Sequence, residues 1–126
     1  MKKEVLNWLK QAEHDLEKAE ILFGSEAFDG AVFFYHQAVE KALKALFMIK
    51  FREIPPDHSI IYLAKKLRVP EELFSGIKDL SPEYLTTRYP DIAQAAPFEI
   101  YDKKIASKHR MTAKKVIKWI KSKIKE

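Results

Sequence analysis

The chain has no cysteine in its 126 residues, which excludes disulfides and thiolate metal sites and makes a reducing cytoplasm the expected setting. Glycine is scarce, with three residues against 23 lysines and arginines, as suits a backbone held mostly in helices. No charge-free apolar run reaches the roughly 18 residues a membrane span needs. The opening MKKEVLNWLKQAEHD is charged and amphipathic rather than signal-like, so neither export nor membrane insertion is expected. Also missing are GxxxxGK[ST], GxGxxG and HExxH. The Glu-x-x-His pair of bundle di-iron sites is absent as well, since Gln11, Phe33, Pro55 and Ala106 stand three before the four histidines. No metal and no cofactor is therefore expected. Apolar residues at 47% and charged residues at 33% describe a folded chain, and its length suits a single domain over 1–126.

What is present is organised around Phe28 to Ile49, FDGAVFFYHQAVEKALKALFMI. At helical spacing Ala31, Phe34, Tyr35, Ala38, Ala42, Ala45 and Ile49 form one apolar stripe, and Val32, Val39, Leu43, Leu46 and Phe47 fill much of the remainder. Tyr35, His36, Gln37, Glu40, Lys41 and Lys44 supply the only polar atoms of its middle. Such a helix is predicted to be central and packed on several sides, sharing part of its apolar excess with a second copy.

Around it, residues 3–23 carry Val5, Trp8, Leu9, Ala12, Leu16, Ala19, Leu22 and Phe23 at helical spacing, and Gly24-Ser25 ends that helix in a turn. The central helix is placed at 27–50 and a Pro55-Pro56 linker at 51–59. A third helix follows over 60–67, capped by Asp57 or Ser59, and a short one over 70–79. Ser81-Pro82 is read as cap and first position of a single turn bearing Tyr84 and Leu85, with Pro90 and Pro97 keeping the rest of the passage irregular. Asp102 caps a last helix over 103–124, with Ile105, His109, Thr112, Ala113, Val116, Ile120 and Ile124 inward. The fold class expected is all-α: an up-and-down four-helix bundle with an additional short helix and an irregular loop before the last helix. Residues 101–126 carry ten lysines and arginines against two acids, whereas residues 1–100 carry thirteen against sixteen. The basic last helix is either a solvated face or a phosphate-facing surface.

Several groups could carry chemistry. His14, among acids, reads as a surface residue. His36 with Tyr35, Gln37, Glu40 and Lys41 makes a polar patch that is either a network across the bundle or dimer seam or a binding site, and His109 joins the inward set. Glu40 and Lys44 stand i,i+4 in the orientation that supports a helix. Arg52 and His58 have an Arg–x5–His spacing that could hold a phosphate and move a proton, against a plainer loop-bracing role for the histidine. Arg88-Tyr89-Pro90-Asp91 is the leading candidate, a guanidinium beside a ring suited to a phosphate and a stacked base; its alternative is an Arg88–Asp91 tie.

These pieces together resemble the HEPN family. The resemblance rests on Trp8, Ala12, Asp15, Leu16 and Ala19; on Phe34, Gln37, Ala38, Glu40, Lys41, Lys44 and Ala45; on His58-Ser59 and Leu63; and on Leu80 and Tyr84 before Arg88-Tyr89-Pro90-Asp91. It implies a four-helix bundle that forms a homodimer, with many members working beside a minimal nucleotidyltransferase, often as toxin and antitoxin. Some members look like metal-independent ribonucleases with an Arg–x4-6–His motif at the last long helix. Here that motif would need histidine among 93–95, where Ala93, Gln94 and Ala95 stand, and Arg110 has no histidine after it. The resemblance thus favours a non-catalytic nucleotide-binding or substrate-binding partner, with Arg88, Tyr89, His58 and Lys41 as binding residues. An endoribonuclease using Arg52 and His58 is the alternative, and RNA is the less favoured ligand.

Overall fold

A computed structural model describes residues 2–124. The described residues form α1 (Lys3–Gly24), α2 (Phe28–Phe51), α3 (Ile60–Lys66), α4 (Glu71–Leu80), α5 (Glu83–Thr86), α6 (Pro90–Ala93), α7 (Pro97–Ile100) and α8 (Lys103–Lys123), without a strand. The all-helical bundle and its long elements lie where the apolar spacing puts them.

The turn after α1 closes because Glu26 adopts a left-handed conformation (φ 63°) and the Ala27 amide donates to the Leu22 carbonyl at 2.9 Å. That reversal lays α2 back along α1. Ala12 and Ala19 on α1 and Ala31, Ala38 and Ala42 on α2 are all but fully buried, and such small side chains let helices approach closely. On its other sides α2 packs against α8, α3, α5 and α7, so its apolar circumference is covered within one chain along most of its length. Leu43, Ile60, Leu63, Ile77, Leu80 and Ile120 are the larger aliphatic side chains sealed in this core, each contributing about 1.5–3 kcal/mol by leaving water.

α2 ends at Arg52, which is left-handed (φ 56°) and starts the Pro55-Pro56 connection. Ser59 caps α3 by accepting from the Tyr62 amide at 3.2 Å, while Asp57 accepts from the Ser59 amide. α4 crosses α8 closely at Gly76, where an added Cβ would stand 2.9 Å from Thr112 Cγ2. Ser81 does not cap the next turn: it closes α4, and α5 begins after Pro82 with no side-chain cap. Pro90 and Pro97 each open a single-turn helix instead of merely interrupting the chain. Asp102 caps α8 through the Ile105 amide at 2.8 Å. Acids of α1 meet bases of α8: Glu20 holds Arg110 at 2.8 Å and Lys114 at 3.6 Å, and Glu13 pairs with Lys121.

Candidate functional site

Phe33, His36, Gln37, Glu40 and Lys44 recur at three- and four-residue steps and therefore share one face of α2. Trp8 of α1, His58 of the linker, and Tyr84, Arg88 and Tyr89 of the α5–α6 passage are brought against that face. The resulting strip extends about 16 Å along the helix from Phe33 to Lys44.

One end is aromatic and cationic. Arg88 donates from Nε to the Tyr84 carbonyl at 2.9 Å, which fixes the plane of its guanidinium. The guanidinium carbon lies 4.3 Å from the Tyr84 ring centroid, 4.8 Å from that of Tyr89 and 5.0 Å from that of Phe33. No carboxylate pairs with it among the described residues, so the Arg88–Asp91 tie is not formed. Its Nη donors are left for a ligand, and the residues Tyr84 and Tyr89 beside it are 41% and 43% exposed.

His36 connects this end to the next. Its ring is buried and lies 5.4 Å from that of Tyr84, with Nδ1 3.2 Å from the Gln37 side-chain oxygen and 4.0 Å from Glu40 Oε1. Burial lowers its pKa below the usual histidine value, although Gln37 and Glu40 pull the other way. The neutral ring is thus the form that belongs at neutral pH.

At the far end Glu40 Oε2 accepts from Lys44 Nζ at 2.7 Å, and the same ammonium, almost wholly buried, donates to His58 Nδ1 at 2.6 Å and lies 5.0 Å from the Trp8 ring centroid. With Nδ1 accepting, the His58 proton sits on Nε2 of an exposed ring. His58 therefore offers a donor to solvent, while Lys44 and Glu40 satisfy one another beneath it. This arrangement can bind an anion and a stacked ring.

The other residues singled out by sequence lie elsewhere. Lys41 flanks the strip on its α1 side, where its ammonium pairs with the buried Asp15, itself bonded by Gln11 at 2.9 Å. Tyr35 points away from His36, toward the Glu20–Arg110 pair between α1 and α8, without an aligned hydrogen bond of its own. Burial drives its hydroxyl pKa well above the phenol range. His109 is buried beside α5: Nε2 lies 3.7 Å from Glu83 Oε2, and Nδ1 has no partner among the described residues. Burial, reinforced by the Lys108 ammonium, pushes it down to about 4. Arg52 lines an open cavity of about 760 Å³ with Lys2, Met48, Ile54 and Lys123, and no hydrogen bond or ion pair joins it to His58. Among the described residues no group of three or more acids and histidines is placed to hold a metal ion.

Sequence reasoning points to Arg88, Tyr89, His36 and His58 but misses Lys44 as the link between them. Its i,i+4 spacing to Glu40 is legible, yet only the folded linker brings His58 onto its ammonium. Phe33 and Tyr84 as partners of Arg88 are missed too; the local signal is Tyr84 standing four residues before Arg88 on one turn.

The fold recurs in helical proteins of known structure. The chain superposes on TT1696 from Thermus thermophilus with a TM-score of 0.88 at 31% identity, over 98% of this chain and all of that one. It matches ST0689, described as an archaeal HEPN homologue, with a TM-score of 0.85 at 33% identity, over 99% of this chain and all of that one. A HEPN domain protein of Thermotoga maritima shares the fold, with a TM-score of 0.73 at 23% identity over 92% of this chain and 95% of that one. Comparison with curated proteins found no match. Residues 5–123 fit the sequence model of the HEPN domain, and the chain belongs to that family.

Proposed function

We propose that the protein binds a nucleotide at the Arg88 cluster without cleaving it, acts as a homodimer in the cytoplasm, and serves a small nucleotidyltransferase as its substrate-binding partner, as one half of a toxin–antitoxin pair. The observation that carries the binding part is the Arg88 guanidinium, fixed over three aromatic rings yet unpaired with any carboxylate among the described residues. A planar cation with free forked donors suits a phosphate, and the half-exposed tyrosine rings beside it suit a base. His58, at the other end of the strip, offers a further donor to an extended phosphate chain. The partnership and the paired-system role rest on the family resemblance.

Calorimetric titration with ATP and GTP is the test. Saturable binding is expected, weakened about ten- to a hundredfold by Arg88→Ala through loss of a charge-assisted contact. Tyr89→Ala is expected to weaken it about tenfold through loss of stacking. Flat titrations with every nucleotide, with and without the transferase, overturn the proposal. The ribonuclease alternative needs Arg52 and His58 in one site, and no bond joins the two. Metal-independent cleavage of RNA, resistant to EDTA and abolished by His58→Ala, would put that alternative first.

A further inference from the structure

The α8 lysines fall into two sets. Lys108 meets Asp79 at 3.1 Å, Lys114 reaches Glu20, and Lys121 pairs with Glu13. Lys103, Lys104, Lys115, Lys118 and Lys123 have no acidic partner among the described residues. At about 100° per residue Lys104, Lys115 and Lys118 fall within about 60° of one another. They lie opposite the side of α8 that buries Ala106, Ala113 and Ile120. Lys115 and Lys118 also line a groove of about 450 Å³ with Trp119 and Ser122, bounded on the α4 side by Glu72 and Leu73.

We infer that this α4–α8 groove binds single-stranded nucleic acid, with Lys115 and Lys118 holding successive phosphates, Lys104 continuing the track along α8, and Trp119 taking a base. Uncompensated cations in a row match a polyanion, and an indole at the edge of the row adds what a mere counter-ion surface lacks. Lys123 Nζ stands 5.6 Å from the Trp119 centroid and can leave the ring for a phosphate when a base arrives. Ser122 offers a hydroxyl, although it now bonds back to the Trp119 carbonyl at 2.5 Å. An anionic membrane fits less well. An interfacial helix turns its apolar side outward, whereas α8 buries that side, and Met111 is its one strongly exposed large apolar residue among those described. The groove uses none of the Arg88 residues, so the inference stands apart from the proposed function.

The test measures binding of a fluorescein-labelled oligoadenylate RNA of about twelve nucleotides by anisotropy across a salt series. The intact protein should bind with affinity that falls steeply with salt. Lys115→Ala/Lys118→Ala should lower the slope of log K against log salt by about 1.4, since each single-strand phosphate contact contributes about 0.7. Trp119→Leu should weaken binding about tenfold and Trp119→Phe should restore most of it, with thermal melts confirming that both variants fold. Lys65→Ala/Lys66→Ala on α3 removes the same charge away from the groove and should leave affinity and slope near their original values. Equal losses from the α3 pair, indifference to Trp119→Leu in a folded protein, or affinity that follows Arg88→Ala and ignores the α8 lysines would each overturn the inference. So would the absence of RNA binding at low salt.

Discussion

His109 shows how a single buried side chain ties stability to pH. Its Nδ1 is unpartnered among the described residues, Nε2 faces Glu83 at 3.7 Å, and the Lys108 ammonium and the Asp79 carboxylate act on it in opposite senses. Glu83 is itself largely buried, and burial pushes its carboxyl up although the Tyr101 hydroxyl and the Lys108 ammonium pull it down, so it is a weak counter-ion for an imidazolium. The unfolded imidazole takes a proton below about 6.5, the folded one only below about 4. The contribution of the neutral ring is therefore complete above the first value and is lost as pH falls toward the second, by about 3 kcal/mol in all. Glu83 works in the opposite sense, because its folded form protonates earlier, so the readout is a difference between proteins. Urea midpoints of the wild type should fall more steeply between these pH values than those of His109→Leu, which keeps the volume and removes an unsatisfied buried atom. Parallel curves would show that the ring titrates as in the unfolded chain. At this scale the sequence shows which histidines sit inward, because position on a helix face is periodic. It does not show what they meet. The meeting of His58 with Lys44 depends on the path of a proline linker, and that of His109 with Glu83 on a turn too short to have a period.

Helices long enough to repeat their pattern are legible almost to the residue: α1, α2 and α8 begin and end within about two positions of their sequence bounds, as expected for periodic segments with caps. The passage from Ser81 to Asp102 is legible only as broken, because proline signals equally the end of one helix and the first residue of the next. It holds three single turns, two of them opened by Pro90 and Pro97. The crossing of α4 and α8 is not legible at all, since nothing local marks Gly76 as a contact. There a methyl would collide with the Thr112 side chain. Gly76→Ala gains up to about 1 kcal/mol in helix propensity but must push α4 away from α8 or turn Thr112, at a cost of about 1–3 kcal/mol. A net loss of stability is expected in chemical unfolding. Gly76→Ala/Thr112→Ala removes the obstructing atoms and should recover the loss, ending at or above the wild type. A single variant as stable as the parent would mean that the crossing has room to spare.

Across the whole molecule, apolar surface is unevenly left over. The chain covers most of α2 by itself, so under the homodimer proposal the contact falls to the passage beside that helix rather than to the helix itself. Among the described residues Leu85, Ile92 and Phe98 are 44%, 52% and 70% exposed and lie on consecutive short turns, with Tyr84 and Tyr89 between and before them. Other exposed large apolar side chains stand outside this passage in the sequence: Leu6 and Ile21 on α1, Ile49 and Phe51 on α2, Ile54 in the linker and Met111 on α8. A run of this kind is what a partner surface needs at its centre, provided the whole contact buries about 1,200–2,000 Å². Under the homodimer proposal, sedimentation equilibrium of the wild type fits twice the chain mass, and Ile92→Asp/Phe98→Glu shifts it to one chain with helicity unchanged, because neither side chain supports the core. Arg88 and Tyr89 lie between Leu85 and Ile92 in the same passage. The monomeric variant should therefore also bind nucleotide less well than the dimer, since three short turns lose whatever order the contact gives them. A wild type that remains monomeric across the concentration series removes the homodimer. A monomeric variant that binds nucleotide as tightly as the dimer leaves the two properties independent, and the Arg88 cluster then works from a single chain.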